Sequence, residues 1–414
     1  MQPKKLFAFI FFLLSFLLLT SCAPPTPAAT PTASHAPTFT PIPNTPVTYA
    51  GCSTVTAEPT ANVSSGLPTI TAADYARGPD NAAVTMILYC DFQSTQCENF
   101  GDVVDKLRQN HPNDLRVVYR PLAAIGVLDK SQISTQATVA AGDQGKFWEM
   151  RDLLHSKYNN WANLTVSQFN SWIKSQAGSL GLDAAKFEAD YQSSETAARA
   201  KSMHDAAVQL GIGSIPVVFI NGSLQQAAIL DYNSVNDVVS LIALGAKQFK
   251  SCPSFTLDTS KQYIATLHTE KGDIVIQLYA DKAPLAVNSF IFLAKQGWFD
   301  GVTFHRVIPG FVAQTGDPSG TGQGGPGYFF KNEVSDLKYD KPGVVGMASS
   351  GPDTNGSQFF ITYAPEPTLD RSYTIFGQVI KGMDVVESLT PRDPSQSGDL
   401  PQGDKILSVT IEEQ

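Results

Sequence analysis

The first 68 residues have a composition that predicts no globular core, so we expect folding in the remainder of this 414-residue chain. Lys4 and Lys5 precede an apolar stretch from Leu6 to Leu19, and residues 23–68 are dense in Pro, Thr, Ala and Ser with almost no charge. Residues 23–68 bury too little apolar surface to offset their ordering entropy, so we expect an extended, mobile linker. The roughly 350 residues that remain exceed one ordinary core and predict two domains.

The apolar stretch indicates export. At about 14 residues it is too short to span a membrane comfortably and is typical of a signal-peptide core. It ends in Leu19-Thr20-Ser21-Cys22, which resembles the cleavage box of bacterial lipoproteins, in which the cysteine becomes the first residue and carries lipid. We therefore predict a signal peptide over residues 1–22, a lipid anchor at Cys22 and an extracytoplasmic location on a bacterial membrane. The alternative is an ordinary signal peptide with a coincidental cysteine.

Charge and cysteine content restrict the partners further. The net charge of −9 argues against a nucleic-acid partner, which requires a basic face. Export implies an oxidising compartment, in which disulfides persist. If Cys22 is acylated, four cysteines remain, and they allow three connectivities. Because Cys52 and Cys252 flank the first globular region, we favour that pair; Cys90 and Cys97 then pair with each other or remain thiols.

Residues 69–250 have the pattern of an α/β domain. Short apolar runs predict strands at Val84–Tyr89, Leu115–Tyr119 and about 215–220. Helical periodicity covers Cys97–Asn110 and roughly residues 131–210, with Thr165 and Asp183 as candidate caps inside the second stretch. The order is strand, helix, strand, helical insert and proline-led strand.

That order resembles the thioredoxin fold of DsbA-like proteins, as do the segments GPDNAAVTMILYCDFQSTQCENF (78–100) and AAGDQGKFWEMRDLLHSKY (140–158). The family has Cys-x-x-Cys where this chain has Ser94-Thr95-Gln96-Cys97. Serine cannot form a mixed disulfide, which excludes ordinary dithiol exchange through the motif. By the same resemblance, Pro216 is the cis-proline beside this degenerate site. We expect a domain kept for binding or spacing; an unusual one-thiol redox activity is the alternative.

Residues 258–414 have a different, strand-rich pattern. Tyr263–Thr269 and Asp273–Tyr279 predict a hairpin, and Ala283–Lys295 predicts a helix with Pro284 in its first turn. Many short strands with few helices predict a closed antiparallel barrel. The further strand candidates lie at residues 301–308, 311–315, 344–348, 358–362 and 375–379.

Two segments of this region carry its chemistry, FHRVIPGFVAQTGDP (304–318) and GMASSGPDTNGSQFFIT (346–362). With 269–294 and 369–387 they closely resemble the cyclophilin family of peptidyl-prolyl cis-trans isomerases. The resemblance implies that Arg306 is the catalytic arginine and that Gln314 and the main chain of Ser349 bind the substrate backbone. It also implies a substrate groove that holds the proline and its neighbours, formed by Phe311, Val312, Ala348, Ser350, Gln358, Phe360, Leu369 and Tyr373.

The chemistry that this resemblance implies needs no nucleophile, metal or cofactor. Amide resonance sets a barrier of roughly 18–20 kcal/mol to rotation, and an arginine that binds the pyramidal prolyl nitrogen of the twisted state lowers it. His155 and His204 have no second ligand at metal spacing, so no metal site is expected. We expect proline-containing exported polypeptides as substrates. Two alternatives stay open: a noncatalytic peptide-binding or chaperone lipoprotein, and a thiol-disulfide oxidoreductase acting through the first domain.

Overall fold

The computed structural model describes residues 48–49, 51–55, 69–396 and 400–414. The predicted signal peptide, the lipidation site Cys22 and most of the predicted linker lie outside these residues. Within them, no helix combines the length and the apolar character that crossing a membrane requires. Two short strands precede the first domain, β1 (Thr48–Tyr49) and β2 (Cys52–Thr54).

The first domain contains a five-stranded sheet made of β3 (Tyr75–Arg77), β4 (Val84–Cys90), β5 (Leu115–Pro121), β6 (Val217–Ile220) and β7 (Ser223–Leu224). Their order is β3-β5-β4-β6-β7. The central pair β4 and β5 is parallel, and β6 runs antiparallel to β4. Both central strands are buried almost throughout, because helices cover the two faces of the sheet.

Eight helices are described in this domain: α1 (Thr95–Asn110), α2 (Ser131–Gly142), α3 (Phe147–Ser156), α4 (Tyr158–Trp161), α5 (Val166–Gln176), α6 (Ala184–Tyr191), α7 (Ser194–Gln209) and α8 (Tyr232–Gly245). Helices α2 to α7 form the insert between β5 and β6, as the sequence predicts. Thr165 caps α5 in a full capping box and Asp183 caps α6, so polar side chains satisfy the first free N–H groups. The architecture is thioredoxin-like.

Nine strands lie in the described residues of the second domain: β8 (Tyr263–Thr269), β9 (Gly272–Leu278), β10 (Arg306–Ile308), β11 (Val312–Thr315), β12 (Tyr328–Phe330), β13 (Val344–Met347), β14 (Phe359–Thr362), β15 (Ile375–Lys381) and β16 (Ile406–Glu413). Eight of them form one sheet in the order β10-β11-β14-β13-β15-β9-β8-β16. Helices α9 (Pro284–Lys295) and α10 (Met383–Glu387) complete the domain.

The prediction of a closed barrel is wrong, because this sheet curls into an open half-barrel. A closed barrel requires a ladder between the two edge strands. In the described residues, β10 and β16 share no ladder, and an isolated bridge between Thr303 and Lys405 joins the segments ahead of them. The segment before β16 contains Pro391, Pro394 and Pro401, which cannot donate to a ladder and so limit pairing along this edge.

Part of the segment that the sequence assigns to the linker is a strand of a second sheet. Strand β2 pairs with β12 of the second domain and carries β1 on its outer side. A disulfide joins Cys52 to Cys252, the pairing that the sequence favours, and a second joins Cys90 to Cys97. A three-residue strand gives no periodic signal, so the composition of its surroundings dominates the sequence pattern.

The junction between the domains is packed rather than free. Leu244, at the end of α8, belongs to the hydrophobic core of the second domain. The Phe249 ring lies 4.9 Å from the Phe292 ring and 5.7 Å from the Trp298 ring, measured between centroids. Apolar contacts made by Leu244, at the end of α8, and by Phe249, just after it, therefore join the first domain to the second.

Asp237 on α8 provides an electrostatic probe of this junction. Burial raises its pKa to about 6, with the charges of Asp231 and Asp317 acting in the same direction and Arg392 opposing them. An acid whose folded pKa exceeds its unfolded value loses stabilisation as pH rises between the two values. We expect the wild-type protein to lose stability from this group between about pH 4 and pH 6, on the order of 1–2 kcal/mol because solvent screens this partly exposed carboxyl.

The Asp237→Asn variant should remove that loss, so that it exceeds the wild type in urea midpoint at pH 7 and matches it at pH 4. The exposed acid Glu195 on α7 offers the control, since Glu195→Gln should leave the pH profile unchanged. Parallel profiles for the wild type and Asp237→Asn would show that the carboxyl ionises freely in the folded protein.

Candidate active site

Arg306 lies on β10, the edge strand of the eight-stranded sheet, in the hairpin that β10 forms with β11. Strand pairing places Arg306 directly opposite Gln314, and Gly310 makes the turn with φ +81°. The Arg306 guanidinium lies 5.5 Å from the centre of the Phe311 ring. Its Nη1 donates to Gln314 Oε1 at 3.4 Å. The half-buried guanidinium is thus held between an aromatic face and an amide.

An apolar cluster adjoins this arginine and is separate from the main core of the domain. It contains the predicted groove residues Phe311, Val312, Ala348, Phe360, Leu369 and Tyr373. Phe360 is its centre: the Tyr373 ring meets Phe360 edge-on at 5.7 Å, and the Tyr339 ring stacks on it at 5.6 Å. The structure therefore brings six predicted residues together beside Arg306.

Tyr339 belongs to this cluster, although the sequence analysis did not identify it. It is fully buried, and its hydroxyl finds no hydrogen-bond partner among the described residues. Burial raises the pKa of this phenol, so it stays neutral. Its signal in the sequence is a lone aromatic residue in the polar stretch Lys338–Pro342, which gives no periodicity.

A row of polar side chains continues from Arg306 away from the apolar cluster. Gln314 Nε2 donates to Gln358 Oε1 at 2.9 Å. Gln358 Nε2 in turn donates to the carbonyl oxygens of Gly322 and Gly324, at 3.0 and 2.9 Å. Two side chains, those of Gln314 and Gln358, thereby connect the catalytic candidate to the glycine-rich loop of residues 320–327.

Asp317 fixes that loop and is a second residue missed by the sequence analysis. It is fully buried, and its carboxylate accepts from the N–H groups of Ser319, Gly322 and Gly324 at 2.7–2.9 Å. The Ser319 hydroxyl also donates to it. The loop is thus an ordered structure wrapped around one anion. The available signal is an Asp near the end of the segment 304–318, just before a run of glycines.

His305, next to the candidate arginine, has no acid–base partner in this arrangement. Neither ring nitrogen has a hydrogen-bond partner within the described part of the chain. Burial lowers the pKa of the imidazole, with Asp317 opposing that effect. A neutral, buried ring favours a structural role for His305 over an acid–base role.

Ser349 and Ser350 line a cavity beside the apolar cluster rather than the cluster itself. The cavity measures about 270 Å³ and also touches Gln314, Ala348 and Gln358. The Ala348 N–H donates to the Gln358 carbonyl, and the Ser350 N–H donates to the Thr354 hydroxyl. Together, the cluster and the cavity form a groove, and Arg306 lies beside it.

In the first domain, Cys97 of the degenerate motif forms a disulfide with Cys90, which precedes the motif. Ser94 caps α1 by accepting from the Cys97 N–H. Cys90 and Cys97 are bonded to each other, and their exposed fractions are 0% and 7%. The peptide bond between Ile215 and Pro216 is cis, as the resemblance implied. Among the described residues all four cysteines are paired in disulfides, and the Cys90–Cys97 disulfide is buried, so the degenerate motif presents no thiol.

Comparison with known proteins agrees with this geometry. The family described as cyclophilin type peptidyl-prolyl cis-trans isomerase/CLD matches residues 264–411, and a family described as thioredoxin matches residues 71–237. The peptidyl-prolyl cis-trans isomerase-like 3 of Rhizopus delemar is 47% identical over 35% of this chain and 92% of its own length. Its Rattus norvegicus counterpart is 44% identical over 35% of this chain and 94% of its own.

A solved cyclophilin type peptidyl-prolyl cis-trans isomerase from Cryptosporidium parvum is 38% identical and covers 37% of this chain and 98% of its own, with a TM-score of 0.34. The isomerase family model lies within the second domain, and each of the two curated relatives covers 35% of this chain. The chain belongs to the cyclophilin-type peptidyl-prolyl cis-trans isomerase family, and it carries that enzyme domain behind a thioredoxin-like domain.

Proposed function

We propose that this isomerase acts on exported polypeptides while they fold, outside the cytoplasm and tethered to a bacterial membrane through Cys22. The observation that carries the catalytic part is the position of Arg306 at the rim of an apolar cluster that can hold a proline ring. The sequence of the first 22 residues supports export. The two disulfides support an oxidising compartment.

The proline ring of the substrate packs against the cluster centred on Phe360. Phe311 and Leu369, which are partly buried, form the sides of this pocket. When the pocket holds the proline ring, the nitrogen side of the prolyl amide is fixed. Rotation about the C–N bond then moves the carbonyl group of the residue before the proline. Gln314 and the main chain of Ser349 hold the substrate backbone next to the proline.

Arg306 provides the differential binding that accelerates rotation. In the twisted state the prolyl nitrogen becomes pyramidal and regains a lone pair, which a guanidinium N–H binds better than it binds the planar amide. Within the described residues, the guanidinium makes one hydrogen bond, to Gln314. Arginine has five N–H donors and stays protonated, so donors remain for the substrate.

The anchoring proposal is tested by the Cys22→Ala variant of the full chain, expressed in a bacterial host. We expect the wild-type protein in the detergent-soluble membrane fraction, because acylated Cys22 retains it there. The variant should move to the soluble fraction with its isomerase activity intact, since the catalytic domain is unchanged. The measurement is the distribution of activity and of immunoblot signal between the fractions.

Metabolic labelling with a radioactive fatty acid provides the control for this experiment, since label should enter the wild type and not Cys22→Ala. Equal partition of the two proteins with no label in either would contradict the lipid anchor, while their isomerase activity would leave the enzyme assignment untouched.

A further inference from the structure

The cavity beside the proline cluster has a wall that comes from outside the isomerase domain. The lining includes the groove residues Gln314, Ala348, Ser349, Ser350 and Gln358 and the glycine-rich loop. Val55 and Gln248 also line the cavity, as do Phe329, Thr354, Gly356 and Ser357. Both Val55 and Gln248 fall outside the segment 264–411 that matches the isomerase family.

Val55 is held in this wall by strand pairing. Its N–H donates to the Gly327 carbonyl at 2.9 Å. The preceding strand β2 pairs residue by residue with β12, with Thr54 opposite Tyr328. Residues 52–55 are therefore hydrogen-bonded to β12 and to Gly327 as an edge strand is to its neighbour.

Gln248 is held from the other direction, by the junction that follows α8. Its side-chain Nε2 donates to the Gly325 carbonyl at 2.9 Å, and the next residue, Phe249, donates its N–H to the Pro326 carbonyl. A side chain on Gly327 would lie 2.4 Å from the Phe249 carbonyl oxygen. Glycine at 327 thus permits a close approach of the junction to the loop.

The two outside segments are also joined to each other. Cys52, on the same short segment as Val55, is bonded to Cys252, which follows Gln248 closely. A covalent link between the segments, together with their hydrogen bonds to Gly325, Pro326 and Gly327, keeps both wall residues in place while substrate binds.

We propose that Val55 and Gln248 are specificity-determining residues of this isomerase, because they form the outer wall of a subsite for a side chain that flanks the substrate proline. None of the described residues that line the cavity is charged. A charged side chain that enters it would lose water without gaining an ionic partner, which is unfavourable. The subsite therefore takes an uncharged side chain, and aliphatic and amide side chains fit its volume of about 270 Å³.

The test places a charge in the wall and measures which peptides are then preferred. The full-length Val55→Asp and Gln248→Glu variants are assayed with proline peptides carrying Ala, Lys or Glu at the first or the second position before the proline. We expect both variants to raise the ratio of kcat/KM for Lys over Glu peptides by about tenfold at one of these positions. Val55→Lys should move the ratio in the opposite direction.

Thr54→Asp is the matched control. Neighbouring side chains of a strand point to opposite faces, and Thr54 does not line the cavity, so this variant should leave the ratio unchanged. The all-Ala peptide reports basal activity, so a loss of the enzyme itself is distinguished from a change in preference. Val55 and Gln248 variants that turn over the all-Ala peptide with the wild-type Lys-to-Glu ratio, or a shift equal to that of Thr54→Asp, would overturn the proposal.

Discussion

The Arg306→Ala variant should lose about 10²–10³-fold in kcat/KM for a proline peptide in a protease-coupled isomerisation assay. The reason is that alanine removes the donor that binds the prolyl nitrogen only in the twisted state. The pocket around Phe360 remains, because Arg306 lies at its rim and contacts Phe311 through one face of the ring. We therefore expect peptide affinity to change far less than turnover.

Two further variants serve as comparisons for Arg306→Ala. Arg306→Lys retains the charge but loses the planar set of donors, so it should recover only part of the activity. Lys295→Ala removes an exposed cation from α9, which supplies no predicted site residue, and should leave kcat/KM unchanged. An Arg306→Ala protein that remains folded and keeps wild-type turnover would refute the role assigned to this side chain.

The Asp317→Asn variant should be the most damaging single-atom change in the domain. One carboxylate oxygen accepts from the N–H groups of both Gly322 and Gly324, and the other accepts from Ser319. An amide must turn its own N–H₂ group toward some of these donors. At about 1–3 kcal/mol for each buried donor left unpaired, two lost partners cost about 2–6 kcal/mol of stability.

The same variant should reduce activity beyond its effect on stability. Gly322 and Gly324 carry the carbonyl oxygens that hold Gln358, and Gln358 positions Gln314 next to Arg306. Misplacing a catalytic group slightly can lower the rate by up to about 10²-fold. Urea unfolding and kcat/KM of the full chain measure the two effects. Asp281→Asn, at an exposed acid of the same domain, is the control; indistinguishable results for the two variants would contradict the role of Asp317.

Sequence reasoning reaches the parts of this site that lie on consecutive strands. Arg306 and Gln314 face each other across one hairpin, and Phe360 lies opposite Gln314 on the next strand of the sheet. The proximity of Arg306 and Gln314 follows once the hairpin is recognised, whereas Phe360 lies on a strand that is distant in sequence, and its place in the site is implied by the resemblance of segment 346–362 to the cyclophilins. The helices of the first domain were also predictable, since Thr165 and Asp183 mark starts by their capping chemistry.

Contacts between distant segments were not predictable in the same way. Val55 reaches the groove through a three-residue strand that pairs with β12, and the surrounding Pro and Thr content masks it. Tyr339 packs on Phe360 from an irregular loop. The open edge of the second sheet depends on which strands fail to pair, and alternation along one strand carries no information about its distant partner.

The most direct test of the central claim is the exchange rate between the cis and trans forms of a proline peptide, measured by NMR with the peptide bound to full-length wild-type protein and to Arg306→Ala. We predict rapid exchange on the wild type, and binding without accelerated exchange on the variant. Equal exchange on both proteins would contradict catalysis by Arg306, and binding without exchange on the wild type would identify a peptide-binding protein instead of an enzyme.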